Sequence, residues 1–278
     1  MCFFVLWKLI CYFDEDALDE RTMKSKFVFW TGVFPVLSAM LSILAAVAGY
    51  VMAVYYGHED PYVSFITDSG SLSPESCIFG ILLNLAAFFF FLTTIFIHVQ
   101  LKTFLHDNEL MNETVRQITR VMVLLGLLSA MGYMMVANFQ ETNDLYAHWM
   151  GGLIAYVAAL CYSIMWTIAC YIRRPCLTPK SLTLFRGCLI LLSLAAISVF
   201  NITFYWAPFV YFRDSNGLKP GPPLYPMQGL MRVSETHPYY TNEVVAAISE
   251  WLGVFALQAL IVTFAYEMGR IDIRYQTA

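Results

Sequence analysis

Six stretches of this chain are long and apolar enough to cross a lipid bilayer, and they leave little room for another fold. A helix needs about 20 apolar residues to span a hydrocarbon core of about 30 Å. Because the backbone must satisfy its own hydrogen bonds inside lipid, spans of this kind are helices. The chain is therefore predicted to be an all-α integral membrane protein, a six-transmembrane-helix bundle. The predicted spans are about residues 27–56, 77–99, 118–137, 148–172, 184–210 and 244–266.

The composition agrees with a surface that faces lipid. Charged residues make up 13% of the chain, whereas a soluble domain carries about 25%. The formal net charge of −4 gives no reason to expect a nucleic-acid partner. The six-helix membrane domain (27–267) is predicted to include a non-cytosolic loop rich in proline and glycine (211–243). Outside this domain we predict a cytosolic N-terminal tail (1–26) and a cytosolic C-terminal tail (268–278).

The distribution of basic residues predicts the orientation. An even number of spans leaves both termini on one side, and placing them in the cytosol puts thirteen of the sixteen lysines and arginines there. This is the pattern of the positive-inside rule. The sequon at Asn112 then falls on the cytosolic side, so we expect it to carry no glycan. The cytosolic basic residues are Lys8, Arg21, Lys24, Lys26, Lys102, Arg116, Arg120, Arg173, Arg174, Lys180, Arg186, Arg270 and Arg274.

The opposite face is acidic, with ten acidic residues against three basic ones. A solvated surface is the simpler interpretation of this excess. The more specific alternative is that this face responds to pH, because it carries His58, His148 and His237 and histidine titrates near neutral pH.

The seven cysteines do not predict a disulfide framework, because only Cys77 falls near the non-cytosolic face. In the fourth span, Cys161 and Cys170 are expected to pack as small residues. Reversible acylation stays open for the cytosolic or juxtamembrane thiols, which are Cys2, Cys11, Cys176 and Cys188.

Small residues on the fourth span predict close packing against a neighbouring helix. Gly151, Gly152, Ala155 and Ala159 fall on one stripe of that span. Such a stripe lets two backbones approach without any ligand between them.

Polar side chains near the non-cytosolic ends of the helices form the candidate functional cluster. Charged groups at membrane depth are costly, so each is a candidate for function. With the predicted orientation, several of them fall towards one end of the bundle and could meet there. The cluster comprises Asp68, Glu75, Asn84, Asn138, Gln140, Glu141, His148 and Glu250.

Three roles are open for this cluster. It could fix helix packing through hydrogen bonds worth about 0.6–2 kcal/mol each, bind a lipid headgroup or an ion, or use carboxylates near a histidine for acid–base catalysis. The sequence contains no recognisable nucleophile elbow, metal-ligand spacing or phosphate-binding loop. We therefore predict no enzymatic activity, catalytic residue, metal or cofactor.

Three separated segments carry a family resemblance. They are PYVSFITDSG with SPESCIFGILLNLAAF (61–70 and 73–88), GYMMVANFQETNDLYAHWMGG (132–152), and ISEW with FALQALIVTFAYE (248–251 and 255–267). Together they resemble the Frag/DRAM/Sfk superfamily, most closely its damage-regulated autophagy modulator (DRAM) branch.

The resemblance implies a function as well as a fold. It implies six transmembrane helices, a lysosomal or other endomembrane location, and a role in promoting autophagy and, for some members, apoptosis. Such a protein would act through membrane lipids and through cytosolic autophagy or phosphoinositide-kinase proteins rather than by catalysis. Relatives of this branch imply two alternatives: a plasma-membrane scaffold or regulator of phosphoinositide kinase signalling, and a factor that remodels lipid, namely the GPI anchor.

Overall fold

The computed structural model describes residues 31–62, 64–172, 178–211, 213, 215–219 and 235–268. Within these ranges, six helices have the length and apolarity that a membrane span requires. This confirms the predicted fold class: the chain is an all-helical, six-span membrane bundle. The tails 1–26 and 269–278, most of the loop 211–243, and the thiols Cys2, Cys11 and Cys176 lie outside the described residues.

The helices follow one another along the chain with short connections except before the second and before the sixth helix. They are α1 (Val33–Tyr56), α2 (Glu75–Asp107), α3 (Glu113–Asn138), α4 (Leu145–Ile172), α5 (Lys180–Asn201), α6 (Tyr240–Val262) and the short α7 (Ala265–Met268). Helix α5 continues as a π-helical turn, Ile202–Trp206, and the loop between α1 and α2 contains a 3₁₀ turn, Asp68–Gly70.

Several helix ends differ from the predicted bounds, and two of these differences have identifiable reasons. Helix α2 runs on to Asp107 rather than stopping near residue 99, because Leu101 and Leu105, four residues apart, keep one helical face buried. The helical region of the fifth span ends at Trp206 rather than near residue 210. Ala207, with φ 43°, adopts a left-handed conformation there that ends the helix.

Helices that are neighbours in sequence pack side by side, and α6 returns to α1. The two ends of the described chain meet: the Thr31 hydroxyl donates a 3.0 Å hydrogen bond to the Met268 carbonyl, and Gln100 donates to the Thr31 hydroxyl at 3.3 Å. Both ends therefore lie at the same end of the bundle, as an even number of spans requires. Which end faces the cytosol stays a prediction.

Helices α3 and α4 pack so closely that their backbones are in contact. A Cβ atom placed on Gly132 would lie 2.3 Å from the backbone nitrogen of Ala155, and one on Gly151 would lie 2.6 Å from Met135 Cβ. The Ser129 hydroxyl also donates to the Ala155 carbonyl at 2.9 Å. Close packing along the predicted stripe is thus confirmed, except at Gly152, where an added Cβ would meet nothing nearer than 3.9 Å.

Candidate functional site

The loop between α1 and α2 lies at the end of the bundle away from Thr31 and Met268. We call residues 57–74 the acidic strap; all but residue 63 are described. The strap is held to α6 by two hydrogen bonds. The Ile66 N–H donates to the Glu250 carboxylate at 2.8 Å, and the indole N–H of Trp251 donates to the Ser64 carbonyl at 3.0 Å.

A second set of bonds joins the strap to the loop between α3 and α4, residues 139–144. The Thr67 hydroxyl donates to the Glu141 carboxylate at 3.4 Å, and the Thr142 hydroxyl donates to the Ser71 carbonyl at 3.2 Å. The strap therefore bridges parts of the chain that are far apart in sequence.

Two apolar side chains anchor the strap between these polar contacts. Phe65 is 7% exposed and meets the rings of Phe200 and Phe204 edge-on, with centroids 6.1 and 6.2 Å away. Ile66 is equally buried and packs into the core with Phe79 and Leu83. Burial of these side chains favours a strap that is closed over the bundle.

The strap also buries carboxyl groups. Glu59 is 3% exposed and Asp68 is 7% exposed. Burial is the largest cause that raises the pKa of Glu59 to about 8; the charges of Glu141 and Asp60 add to it, while hydrogen bonds from Ser64 and from the Asp60 N–H oppose it. Burial also raises the pKa of Asp68 well above its ordinary value, and the neighbouring charges of Glu141, Glu59 and Glu250 act in the same direction.

Glu75 pairs with a histidine rather than with the other predicted carboxylates. It lies in the first turn of α2, is fully buried, and shares a short hydrogen bond with His58 Nδ1. The second carboxyl oxygen of Glu75 is buried and has no hydrogen-bond partner among the described residues. This buried carboxyl is therefore engaged by His58 and not by the other carboxyl groups of the candidate cluster.

The remaining members of the predicted cluster make local contacts. The side-chain amides of Asn84 and Asn138 bond each other reciprocally, at 3.0 and 3.3 Å. Gln140 accepts from the Asn143 amide at 2.9 Å, and buried His148 bonds the Phe139 carbonyl through Nδ1 at 2.7 Å. The strap thus contains Asp68 and forms hydrogen bonds to Glu141 and Glu250. Asn84, Asn138, Gln140 and His148 take no part in these bonds.

Sequence reasoning missed two sets of residues. Glu59 passed as an ordinary loop residue, and His58 was named for a pH-responsive face but not for the candidate cluster, although both lie at the carboxyl-rich site. At the opposite end, buried Arg186 forms a 2.6 Å salt bridge with buried Glu267, which also accepts from Thr178 at 2.6 Å. The only available signal for this pair was the placement of each charge within or next to an apolar span.

The carboxyl groups at the strap are not arranged as a metal centre. Within the described ranges, no group of three or more His, Cys, Asp or Glu side chains has the geometry to hold a metal ion. Among the same residues, no lysine or arginine forms a salt bridge with Glu59, Asp68, Glu141 or Glu250. What the geometry offers is a hydrogen-bonded contact between a loop and helix ends.

Comparison with known proteins matches this six-span architecture to a defined family. The model of the Frag1/DRAM/Sfk1/Cwh43P N-terminal domain covers residues 30–271, which include every described helix. The chain belongs to this family. The family resemblance seen in the strap, the α3–α4 region and α6 is thereby confirmed.

Several relatives within the family have names that refer to autophagy. The chain is 28% identical over 248 residues to the DNA damage-regulated autophagy modulator protein 1 of Mus musculus, an alignment of 87% of this chain and 93% of the relative. It is 30% identical over 180 residues to modulator protein 2 of Bos taurus, covering 65% of this chain and 61% of the relative. A 111-residue stretch is 31% identical to the modulator of macroautophagy TMEM150B of Xenopus tropicalis, covering 40% and 45%. No solved structure matches the chain.

Proposed function

We propose that this protein is a multi-pass membrane modulator of autophagy in a lysosomal or other endomembrane compartment. It acts through partner proteins or lipids rather than by catalysis. The observation that carries the proposal is the similarity to modulator protein 1, which extends over 87% of this chain. The family model, which spans residues 30–271, includes the strap, the α3–α4 loop and α6.

The contacts at the site support a modulator over an enzyme. The Glu250 and Glu141 carboxylates accept hydrogen bonds from the strap, and His148 is engaged by a backbone carbonyl. Groups used in this way fix the shape of a surface. A general base must instead reach a proton on the substrate. The proposed partners are membrane lipids around the bundle and, on the cytosolic face, autophagy or phosphoinositide-kinase proteins.

Rescue of cells that lack the protein tests the proposal. Autophagic flux is measured as turnover of an autophagy substrate with and without inhibition of lysosomal degradation, and the tagged protein is localised against lysosomal and plasma-membrane markers. We expect flux to fall on deletion and to recover with the wild-type chain. The variant Glu113→Gln, which changes an exposed carboxylate far from the strap, should rescue equally well.

The two alternative functions give different results in the same cells. Normal flux with altered phosphoinositide signalling and a plasma-membrane location would overturn the proposal in favour of a scaffold. Normal flux with altered GPI-anchor lipid would overturn it in favour of lipid remodelling. In that second case, replacing Glu141 and His148 together should reproduce the lipid change at normal protein level.

A further inference from the structure

The hairpin formed by α2 and α3 carries its basic and acidic side chains at different depths. Gln100 of α2 donates to the Thr31 hydroxyl, so the turn of the hairpin lies at the end of the bundle that holds Thr31 and Met268. The lysine and arginine side chains of the hairpin are Lys102 on α2 and Arg116 and Arg120 on α3. Its exposed carboxylates lie nearer the turn and are Asp107, Glu109 and Glu113.

Packing between the two helices places the basic side chains at similar heights. Leu101 of α2 and Thr119 of α3 line the same small gap inside the bundle. The next residue on each helix is basic, so Lys102 and Arg120 lie within about one helical turn of each other in height. Arg116 precedes Arg120 by four residues and therefore lies on the same face of α3, one turn nearer the tip.

The exposed apolar side chains of α3 locate these cations relative to the bilayer. Such side chains run along the helix from Ile118 to Met134. At 1.5 Å per residue this row is about 24 Å long, which accounts for most of a hydrocarbon core of about 30 Å. Arg120 lies near the end of the row and Arg116 lies just beyond it. Long basic side chains in such positions extend to the level of the lipid headgroups.

The carboxylates stand farther out than the cations. Glu113 lies about 10 Å beyond Arg120 along α3 at 1.5 Å per residue, and that is about one Debye length at physiological ionic strength. Glu113 also contacts Arg116 at 3.6 Å, with side chains that are 64% and 42% exposed. An exposed pair of this kind is weak, so another anion can compete for the guanidinium.

We propose that the α2–α3 hairpin binds anionic phospholipid headgroups, in the leaflet at this end of the bundle, through Lys102, Arg116 and Arg120. A guanidinium matches the geometry of phosphate oxygens, and each cation near an anionic surface adds to the attraction. A soluble acidic partner would meet the carboxylates of the turn before it reached the cations, whereas headgroups lie at the level of the cations. The site narrows the lipid partner of the proposed function to one class, and it rests on that function only in taking lipid as the partner.

Energy transfer in nanodiscs tests the preference for anionic lipid. The full chain is reconstituted in phosphatidylcholine nanodiscs that contain a small fraction of phosphatidylserine or phosphatidylcholine with a dansyl label on the acyl chain. Transfer from the tryptophans of the chain reports how much labelled lipid lies against the protein. We expect the serine lipid to be enriched roughly fivefold or more over the choline lipid, and the enrichment to fall as salt is raised.

Inorganic phosphate distinguishes a lipid headgroup from a soluble anion. Phosphate is added in excess and compared with chloride at the same ionic strength. A lipid site should keep its enrichment of the serine lipid equally in both salts. Specific loss of the enrichment in phosphate would identify a soluble phosphate as the ligand and overturn the lipid assignment.

Matched charge variants assign the surface to the hairpin. The cation variant, which should lose the preference for the serine lipid, carries Lys102→Gln, Arg116→Gln and Arg120→Gln. The control, which removes as many charges from the same hairpin and should keep or increase the preference, carries Asp107→Asn, Glu109→Gln and Glu113→Gln. If the cation variant does not fold, Arg120→Gln alone should lower the preference, and Arg120→Lys, which keeps the charge, should retain it.

Two results would overturn the lipid site. One is equal transfer to the two labelled lipids in the wild-type chain. The other is an unchanged preference in a folded variant that lacks the cations. Neither result would bear on autophagic flux, so the two proposals fail separately.

Discussion

The backbone N–H of Ile66 donates a 2.8 Å hydrogen bond to the carboxylate of Glu250, 184 positions further along the chain. This bond gives a physical reason for a carboxylate within a membrane helix, because it pairs the acceptor with a main-chain donor that would otherwise be unbonded. It also joins the α1–α2 loop to α6. The strap is therefore part of the helix packing at this end of the bundle.

Removing the Glu250 acceptor should destabilise the protein. In Glu250→Ala the Ile66 N–H loses its partner, at a cost of about 1–3 kcal/mol. Glu250→Gln retains a side-chain carbonyl oxygen and should retain most of the stability. The free energy of unfolding in mixed detergent micelles distinguishes them. Equal loss in both variants would show that the charge, rather than the hydrogen bond, matters.

The buried ion pair at the other end should behave as a unit. Arg186 and Glu267 are both almost fully buried and lie 2.6 Å apart. Removing one partner leaves an uncompensated buried charge, so Arg186→Met should cost about 3–5 kcal/mol, whereas replacing both by methionine should restore much of this loss. The same unfolding measurement closes the double-mutant cycle. Additive losses would contradict the pairing.

Close contact of α3 and α4 predicts a size limit at Gly132. An added Cβ would lie 2.3 Å from backbone, so Gly132→Ala should cost about 1–3 kcal/mol through forced separation of the helices. Gly187→Ala is the matched control, because nothing lies within 4 Å of its Cβ position. That change should stabilise α5 by roughly 0.5–1 kcal/mol. The prediction fails if both substitutions shift the unfolding free energy alike.

Stability should fall as pH rises, and the pKa of Glu59 sets the pH range over which it falls. Its pKa is raised by burial from an ordinary value of 4.5 to about 8. Between these values the folded protein holds a proton that the unfolded chain has released, so stability is fully present below about 4.5 and is lost as pH approaches 8. The loss is on the order of a few kcal/mol. Thermal unfolding across this window should show a Tm that falls as pH rises, and the fall should be less steep in Glu59→Gln, where the raised pKa of Asp68 still contributes. A Tm that is constant or rises would contradict the assignment.

Hydropathy was sufficient to predict the number and order of the helices. Each span is an uninterrupted apolar segment, and its length alone determines whether it crosses the bilayer. The stripe at Gly151 and Ala155 was predictable for a similar reason, since small residues on one helical face permit close approach. These features depend on residues that are near one another in sequence.

The detailed site was not predictable because its contacts are distant in sequence. Thr67 reaches Glu141 across 74 positions, and Arg186 reaches Glu267 across 81. The predicted topology could indicate that Asp68, Glu141 and Glu250 lie at one end of the bundle, but not that the strap would form hydrogen bonds to Glu141 and Glu250 there. Whether Glu75 would join them was equally open, and it instead pairs with His58.

Glycosylation mapping tests most directly the central claim that the acidic strap faces away from the cytosol. Leu218→Thr creates the sequon Asn216-Gly217-Thr in the loop between α5 and α6, while the natural sequon at Asn112 lies between α2 and α3, at the opposite end. Mobility is compared before and after glycosidase treatment, with Asn216→Gln and Asn112→Gln assigning the site. The account predicts a glycan only on Leu218→Thr, removed by Asn216→Gln. A glycan on wild-type Asn112 would place the strap in the cytosol and contradict the account.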